Sequence, residues 1–320
     1  MSVLITGGAG FIGVNLAKTL VQRGHSVVLI DNLSLGSKEN LQYFDLLPEI
    51  ELITADVNKL ETYISTLAKF HNRNAITEVW HLAANSDIPA GIEDPSVDLM
   101  DTFLTTFNTL KLMHQFNIGR LIFASSSAIY GDMGDTPIRE HDGPLIPISN
   151  YGAMKLASEA AIFAACEKWL DQCFVFRFPN VVGAPATHGV IFDFINKLRI
   201  NPARLDVLGN GKQQKSYLHV SDLINAMLFV CESCKAKRQI FNVGQVDDGA
   251  SVRYIAEEVV RQFSPEATIK FGVEEKGWIG DVPKFRYDVS KLKSLGWRPT
   301  FTSEQAISES VRQIITQFQR

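Results

Sequence analysis

Residues 6–13 read Thr-Gly-Gly-Ala-Gly-Phe-Ile-Gly, a glycine-rich segment whose spacing suits phosphate binding. Gly8, Gly10 and Gly13 have the G-x-G-x-x-G spacing of dinucleotide-binding proteins, and Gly7, Gly10 and Gly13 have its wider variant. The segment follows an apolar run and precedes a helical pattern, the context in which a tight turn and a helix N-terminus hold a pyrophosphate. We therefore predict a bound dinucleotide here, against the alternative of a purely structural turn.

Two acidic residues end later apolar runs. Asp31 lies 18 residues after Gly13. A carboxylate there can accept hydrogen bonds from both ribose hydroxyls and repels a 2′-phosphate, so it favours NAD over NADP. The alternative is an exposed acidic residue at a strand end. Asp56, which precedes Val57, can bond the adenine amino group or cap a helix.

Tyr151 and Lys155 have the spacing of an acid–base pair. Residues i and i+4 share a helix face, so the ammonium can hold a nicotinamide ribose and lower the pKa of the phenol. A free phenol, with a pKa of ~10, needs such help to act as a base at neutral pH. The pair follows a serine cluster that includes Ser126 by about 25 residues, which distinguishes it from a chance Tyr-x-x-x-Lys.

Short apolar runs alternate with helical patterns through the first half of the chain. The runs cover residues 2–6, 26–30, 50–55, 77–82, 120–125 and 173–178, and the helical patterns include 12–22, 105–116 and 151–169. This alternation predicts an α/β fold, a doubly wound parallel sheet of the Rossmann type with ligands at the carboxyl ends of its strands.

Glycine and proline become frequent after Phe178. We predict an NAD-binding Rossmann domain over residues 1–178 and a smaller C-terminal substrate-binding lobe over 179–320, with segments near 214–245 returning to the sheet. Helical patterns at 190–200, 221–232 and 251–263 and a strand at 240–243 belong to this second half.

The composition is that of a globular protein, with 46% hydrophobic and 21% charged residues and a net charge of −4. We expect no nucleic-acid partner, because there is no basic patch. The sequence shows no run of ~18 apolar residues and no basic start followed by a cleavage site, so we expect no membrane span and a cytoplasmic protein.

The four cysteines include a Cys-x-x-Cys pair, Cys231 and Cys234. A redox pair or half a zinc site are the functional interpretations. Zinc needs a second pair of ligands, which is missing at suitable spacing, and the pair lies where a helix is expected to end rather than begin. We therefore predict reduced structural thiols and no metal.

Together these motifs resemble the extended short-chain dehydrogenase/reductases, and among them the nucleotide-sugar 4-epimerases such as UDP-glucose 4-epimerase. The resemblance covers nearly the whole chain. Besides the segments above, it rests on Asp-Asn-Leu-Ser (31–34), His-Leu-Ala-Ala (81–84), Ser-Ser-Ser-Ala-Ile-Tyr-Gly (125–131), Arg-Phe-Pro-Asn-Val-Val-Gly (177–183), Ser-Tyr-Leu-His-Val-Ser-Asp (216–222) and Gly-Asp-Val-Pro (280–283).

The resemblance implies that Tyr151 is the acid/base at the sugar 4-hydroxyl, that Ser126 hydrogen-bonds the same oxygen, and that Lys155 anchors NAD. The implied cofactor contacts are Gly7, Gly10, Phe11, Ile12, Gly13, Asp31, Asn32, Asp56, Val57, Leu82, Ala83, Ala84, Tyr151 and Lys155. The implied substrate contacts are Ser86, Ser126, Ser127, Asn180, Thr187, His188, Lys215, Asp281 and Phe285.

Some positions leave the substrate open. Lys215 and Trp278 stand where these epimerases often carry arginine, although Arg286 lies near Trp278 in the sequence. Lysine keeps the charge but loses the bidentate fork. His188 either senses the substituent at sugar carbon 6 or satisfies a loop backbone. Phe285 either limits bulk at sugar carbon 2 or packs as a core strand residue.

The predicted activity is NAD-dependent inversion of carbon 4 of a UDP-sugar through a 4-keto intermediate. UDP-glucose and UDP-galactose are favoured, followed by UDP-glucuronate and UDP-galacturonate. A dehydratase or decarboxylase on the same fold is the alternative, but Ser126 is followed by Ser127 and Ala128 rather than by a carboxylate. A non-catalytic NAD-binding scaffold is a third class.

The resemblance also implies a homodimer through helices near 100–116 and 151–169.

Overall fold

The computed structural model describes residues 1–46, 50–134, 136–274 and 286–319. Asp281, Phe285 and Trp278 lie outside the described residues, so the predictions made for them stay predictions. The contacts within the chain divide it into two compact units. The first unit contains residues 1–131, 143–177 and 231–241, and the second contains 132–142, 178–230 and 242–320.

The strands and helices follow one another along the whole chain. The strands are β1 Ser2–Thr6, β2 Ser26–Asp31, β3 Ile50–Thr54, β4 Ile76–His81, β5 Arg120–Ser126, β6 Gln172–Phe178, β7 Asn180–Val182, β8 Arg204–Val207, β9 Gln214–Lys215, β10 Tyr217–His219, β11 Arg238–Asn242, β12 Ala250–Ser251 and β13 Thr268–Phe271. The helices are α1 Phe11–Gln22, α2 Lys38–Gln42, α3 Leu60–His71, α4 Ile88–Glu93, α5 Pro95–Asp98, α6 Thr105–Gln115, α7 Asn150–Lys168, α8 Val190–Ile200, α9 Val220–Ser233, α10 Val252–Phe263, α11 Ser290–Ser294 and α12 Ser303–Gln319. A π-helical turn, Leu99–Leu104, and a 3-10 turn, Ser127–Tyr130, complete the set.

The first unit is built on a seven-stranded sheet in the order β11-β6-β5-β4-β1-β2-β3. The central pairs β1–β2, β1–β4, β2–β3 and β4–β5 are parallel. Strands covered on both faces need continuous apolar runs, and Val3, Leu4 and Ile5 of β1 are fully buried. The predicted doubly wound α/β fold is therefore confirmed, and each strand predicted in the first half agrees within one residue at either end.

The register of this sheet brings the carboxyl ends of three strands to one edge. Thr6 at the end of β1 pairs with Ile30 on β2 and with His81 on β4. The glycine turn after β1, Asp31 at the end of β2 and residues 82–84 after β4 consequently lie side by side. This edge, where the strand order reverses direction about β1, is where ligands bind in open α/β sheets.

The second unit has short two-stranded pairings and amphipathic helices. Strand β7 pairs with β10, β8 with β13, and β9 with β12. Helix α10 buries Ile255, Ala256 and Val259, the spacing of one helical face, and begins at Ser251, whose side chain accepts a hydrogen bond from the Tyr254 amide. Residue Ile138 joins this unit through a bridge to Tyr287.

Within the part of the chain that the structure describes, no helix has the length and apolarity that crossing a membrane requires. The same residues contain no group of three or more His, Cys, Asp or Glu arranged to hold a metal ion. All four cysteines are free thiols. Cys231 lies in the last turn of α9 and Cys234 follows the helix, as predicted for this pair.

Candidate active site

The glycine turn leaves no room for side chains. Gly7 has a φ of +65°, and a Cβ there would lie 2.8 Å from the Ala83 amide nitrogen. A Cβ on Gly13 would lie 2.5 Å from the Gly7 carbonyl oxygen, so α1 packs directly onto the turn. Gly10 is the N-cap of α1 and provides no side-chain cap. The first N–H groups of the helix therefore point into a cradle that suits a pyrophosphate.

Asp31 is fixed beside this turn. Its side chain is only 6% exposed, so the exposed-acid alternative is wrong. One carboxylate oxygen, Oδ2, accepts a hydrogen bond from the Ala9 amide at 3.0 Å, and Oδ1 accepts one from the Leu33 amide at 2.8 Å. Burial raises the pKa of this carboxyl, and the two amide bonds oppose the rise. The next residue, Asn32, folds its side chain onto Ser34.

The segment after β4 forms the neighbouring side of the cradle. The Leu82 amide donates to the Thr6 carbonyl at 3.2 Å, and the Ala83 amide donates to Thr6 Oγ1 at 3.3 Å. Thr6 Oγ1 also lies 2.6 Å from His81 Nδ1. Burial lowers the pKa of His81 to about 3, so this imidazole is a neutral link between β1 and β4. Sequence reasoning quoted His81 but missed this role, which only the strand pairing reveals.

Asp56 shapes a turn at the carboxyl end of β3. Its Oδ1 accepts a hydrogen bond from the Asn58 amide at 2.9 Å. The N-cap of α3 is Lys59, which makes no side-chain cap, so the helix-cap alternative for Asp56 is wrong. Val57 is 5% exposed, and its carbonyl accepts a hydrogen bond from Asn108 Nδ2 at 2.9 Å. Contact with adenine stays a prediction for Asp56, and contact with the cofactor stays a prediction for Val57.

Three predicted catalytic residues come together where α7 meets the end of β5. Ser126 ends β5, and its hydroxyl accepts a hydrogen bond from the Ala128 amide at 3.2 Å. A Cβ on Gly152 would overlap the Ala128 carbonyl oxygen, so the first turn of α7 lies directly against the 3-10 turn. This close approach allows a side-chain hydrogen bond between Tyr151 and Ser126.

Lys155 lies one helical turn further along. It is 2% exposed, and its Nζ donates to the Ala124 carbonyl at 2.6 Å. The same Nζ is 5.7 Å from the centroid of the Tyr151 ring and 4.8 Å from that of Phe123. The ammonium is therefore held near the Tyr151 phenol by a backbone carbonyl and by aromatic rings rather than by solvent.

Burial dominates the protonation of this pair. It raises the pKa of Tyr151 to about 12, with the Ser126 bond opposing and the Asp98 charge adding to the rise. The predicted lowering of the phenol pKa by Lys155 is thus not seen here, because the loss of solvent around the phenol raises this pKa. Burial also lowers the pKa of Lys155 to about 7, opposed by the negative charges of Glu159 and Asp98.

A buried ionic network supports the site from behind. Arg177 Nε and Nη2 donate to the two carboxylate oxygens of Glu159 at 3.0 and 2.6 Å, and Nη1 donates to the Tyr130 hydroxyl at 2.8 Å. The Ser125 hydroxyl donates to Glu159 at 2.5 Å. Glu159 is four residues after Lys155 on α7. The spacing of Glu159 from Lys155 can be read from the sequence, but its pairing with Arg177 on β6 cannot.

The remaining predicted substrate residues are more exposed. Ser86 is exposed and Ser127 half-buried in the first unit. In the second unit, Asn180 begins β7 opposite Tyr217, and Lys215 on β9 is half-buried opposite Ala250. Thr187 and His188 are exposed, with Thr187 Oγ1 3.1 Å from His188 Nδ1. Contact with substrate stays a prediction for this set.

The sequence profile of the NAD dependent epimerase/dehydratase family matches residues 3–244, about three quarters of the chain. The chain belongs to this family. It is 29% identical to the UDP-glucose 4-epimerase of Corynebacterium glutamicum over 97% of this chain and 94% of the relative. It is 30% identical to the UDP-N-acetyl-alpha-D-glucosaminuronate decarboxylase of Bacillus cytotoxicus over 97% of this chain and 96% of the relative.

Solved structures agree in fold over almost the whole length. A crystal structure of UDP-galactose 4-epimerase is 35% identical and covers 99% of each chain with a TM-score of 0.84. The UDP-glucose 4-epimerase of Thermus thermophilus, solved in complex with NAD, is 26% identical and covers 98% of this chain and 99% of its own with a TM-score of 0.85.

The predicted cofactor, NAD, is confirmed by the family and by the Thermus thermophilus structure solved with NAD. The described residues fit it, because side chains at Gly7 and Gly13 would fill the cradle and Asp31 offers carboxylate oxygens beside it. The chain is thus an NAD-dependent enzyme of the nucleotide-sugar epimerase/dehydratase family.

Proposed function

We propose that this enzyme inverts carbon 4 of a UDP-sugar, with UDP-glucose and UDP-galactose as the favoured pair. The observation that carries the proposal is the grouping of Ser126, Tyr151 and Lys155 at the end of β5, beside the cradle for NAD. A hydroxyl donor, a phenol and an ammonium are the groups needed to remove and return the proton of a secondary alcohol.

Each residue has a distinct task in this mechanism. Tyr151, as phenolate, accepts the proton of the sugar 4-hydroxyl and later returns it. Ser126 hydrogen-bonds the same oxygen and limits its position, and Lys155 holds the nicotinamide ribose and stabilises the phenolate by charge. NAD, when bound, supplies reversible oxidation and reduction at carbon 4. Between these steps the 4-keto sugar turns about its phosphate linkage and presents its other face.

The cofactor contacts that we propose surround the edge of the sheet described above. The glycine turn and the start of α1 receive the pyrophosphate, Asp31 receives the adenosine ribose, and the backbone of residues 82–84 lines the groove. The full set is Gly7, Gly10, Phe11, Ile12, Gly13, Asp31, Asn32, Asp56, Val57, Leu82, Ala83, Ala84, Tyr151 and Lys155.

The substrate contacts that we propose are less constrained. Asn180 and Lys215 contact the nucleotide diphosphate, Thr187 and His188 face the sugar, and Ser86, Ser126 and Ser127 flank carbon 4. Asp281 and Phe285, outside the described residues, are proposed for a hydroxyl and for the carbon 2 side of the sugar. Lys215 is half-buried on β9, where it pairs with β12. This position supports a role for its positive charge in phosphate binding.

Inversion is favoured over elimination and decarboxylation by the residues after Ser126. Dehydratases and decarboxylases of this family carry an acidic residue directly after the position of Ser126. This chain instead has Ser127 and Ala128 there, in the 3-10 turn. One of the relatives is a decarboxylase, so decarboxylation is the alternative that product analysis must test. UDP-glucuronate is the second substrate that we propose.

A homodimer is also proposed, through α7 and through α6 with the π-helical turn before it. Leu99, Met100 and Phe107 are 48%, 43% and 45% exposed there, and Phe103 stacks on Phe107 with ring centroids 6.4 Å apart. An apolar cluster on one helical face is typical of an interface between subunits. We also propose that the enzyme is cytoplasmic, because free cysteines are typical of proteins in this reducing compartment.

The test is product analysis by NMR after incubation of the purified enzyme with UDP-glucose and, separately, with UDP-glucuronate. The proposal expects UDP-galactose from the first and, more slowly, UDP-galacturonate from the second. A 4-keto-6-deoxy sugar or a UDP-pentose as the main product would overturn the epimerase assignment while leaving the family assignment intact. Mass analysis of the denatured enzyme for released NAD provides an independent check on cofactor retention.

A further inference from the structure

Asp98, the last residue of α5, carries a completely buried carboxylate. Its Oδ1 accepts a hydrogen bond from Asn85 Nδ2 at 3.0 Å and lies 3.5 Å from the Thr102 hydroxyl. Among the described residues, Oδ2 accepts no hydrogen bond. A buried carboxylate oxygen without a donor is costly, so a compensating positive charge is expected nearby.

The surroundings of Asp98 connect it to the catalytic helix. A Cβ at Gly91 would overlap Asp98 Oδ2, so the carboxylate lies directly against this glycine. The Gly91 carbonyl in turn accepts a hydrogen bond at 2.8 Å from the side chain of Asn150, the residue before Tyr151. Helix α5 also packs on α7. The carboxylate therefore contacts the segment that holds the first turn of α7.

The other side of the cluster reaches the cofactor groove. Asn85 directly follows Ala84, and the Asn85 amide donates to the Thr102 hydroxyl at 3.2 Å. The side chain of the same Asn85 donates to both Asp98 and the Asp87 carbonyl. Asp98 thus fixes the loop after β4 as well as the start of α7, the two segments between which the proposed reaction takes place.

Burial raises the pKa of Asp98, and the hydrogen bonds from Asn85 and Thr102 oppose the rise. From the π-helical turn Asp101 repels the carboxylate, and from α7 Lys155 attracts it. The charged side chains of helix α4 and of its N-cap, Asp87, are all acidic. Glu159, the other carboxylate that acts on Lys155, is already paired bidentately with Arg177. The Asp98 charge raises the pKa of both Tyr151 and Lys155, which is the expected sign for an anion beside each group.

We propose that Asp98 is a positioning residue of this active site. Its ionised carboxylate orders the junction between the loop after β4 and the first turn of α7, and its negative charge acts, together with that of Glu159, on the buried Lys155. The inference deepens the proposed function, on which it rests for its kinetic consequences, whereas its electrostatic part is independent of the substrate.

The direct test is an NMR titration of enzyme labelled at the tyrosine ζ carbons, with the Tyr151 signal assigned from Tyr151→Phe. Asp98→Asn keeps the size of the side chain and the bond from Asn85 but removes the charge. We expect the Tyr151 pKa to fall by about one unit, the scale for loss of one nearby like charge. Asp101→Asn, the same change one turn away, is the matched control and leaves the Tyr151 pKa unchanged.

A kinetic test follows from the same sign. Loss of the Asp98 charge lowers the pKa of both Tyr151 and Lys155. In Asp98→Asn we therefore expect both limbs of the pH profile of kcat/KM to shift to lower pH. If Asp98 had only a structural role, the substitution would lower the maximum of kcat/KM without shifting the profile. Absence of turnover in the unmodified enzyme would end the epimerase proposal but would leave the titration free to decide the role of Asp98.

The unmodified enzyme provides a check that needs no folded variant. The carboxyl group of Asp98, observed by NMR through its carboxyl carbon, is expected to be ionised at pH 7. Two results overturn the inference: an Asp98 carboxyl that is still protonated at pH 7, or a Tyr151 pKa that is the same in Asp98→Asn and in the unmodified enzyme.

Discussion

The two units hold their functional side chains in different ways. In the first unit, Lys155 is 2% exposed and bonded to a strand carbonyl, and Glu159 and Arg177 are buried in one network behind it. In the second unit, Thr187 and His188 lie exposed among residues between β7 and α8. The proposed catalytic lysine and the ionic network behind it thus lie in a packed core. The proposed sugar contacts Thr187 and His188 occupy a surface loop, where substitutions are tolerated and specificity can change.

The largest expected difference between the units concerns stability. Glu159→Gln leaves Arg177 buried beside a neutral side chain, and breaking a buried pair costs about 3–5 kcal/mol of unfolding free energy. The matched control is Glu257→Gln on α10 of the second unit, where Glu257 pairs with Arg253 at the surface with side chains 57% and 49% exposed. We expect at most about 1 kcal/mol there. Equal losses in denaturant unfolding would contradict the contrast.

Catalysis provides the second test. Tyr151→Phe removes the acid/base while keeping the ring, and we expect kcat to fall at least ~100-fold with NAD still bound. Tyr254→Phe, in the second unit, is the control and keeps near-normal turnover. Ser126→Ala is expected to lower kcat less than Tyr151→Phe does. If Tyr151→Phe turned over at the normal rate, the base would have to be another group.

Cofactor choice provides a third, smaller effect. Asp31→Ala removes charged hydrogen bonds to ribose, each worth roughly 1.5–3 kcal/mol, and its repulsion of a 2′-phosphate. We expect weaker NAD binding and a smaller preference for NAD over NADP, measured by calorimetric titration of both cofactors. Equal affinity of the unmodified enzyme for NAD and NADP is the outcome that rejects this role for Asp31.

The smallest expected effect lies in the second unit. His188→Ala removes an exposed side chain, so the unfolding free energy should change by less than about 0.5 kcal/mol. If His188 senses the substituent at sugar carbon 6, the ratio of kcat/KM for UDP-glucuronate to that for UDP-glucose will change. An unchanged ratio would assign His188 to the loop backbone, the other interpretation of this residue. Glu266→Ala, in the exposed turn before β13, is the control.

The difference between the units also explains what could be predicted from the sequence. The glycine turn, Asp31 and the Tyr151–Lys155 spacing follow local backbone rules, so their positions were readable in advance. The roles of His81, Glu159, Arg177 and Asp98 were missed because their partners lie on other elements, such as Thr6 on another strand or Asn85 before α4. Short pairings such as β9 with β12 lack the apolar runs that announce a buried strand.

The protonation of the site was also beyond the sequence. The spacing of Tyr151 and Lys155 predicts that the ammonium lowers the phenol pKa, but it contains no information on solvent exclusion. Burial reverses the direction for Tyr151 and brings the pKa of Lys155 to about 7. Only the packing of α7 against the end of β5 reveals that effect.

The most direct test of the central claim uses UDP-glucose with deuterium at carbon 4. If the enzyme inverts this carbon by removing and returning the same hydrogen, NMR will find UDP-galactose that retains deuterium at carbon 4, with none exchanged into water. Tyr151→Phe should slow its formation at least ~100-fold. Loss of the deuterium to solvent, or its recovery in a dehydrated or decarboxylated sugar, would contradict the account.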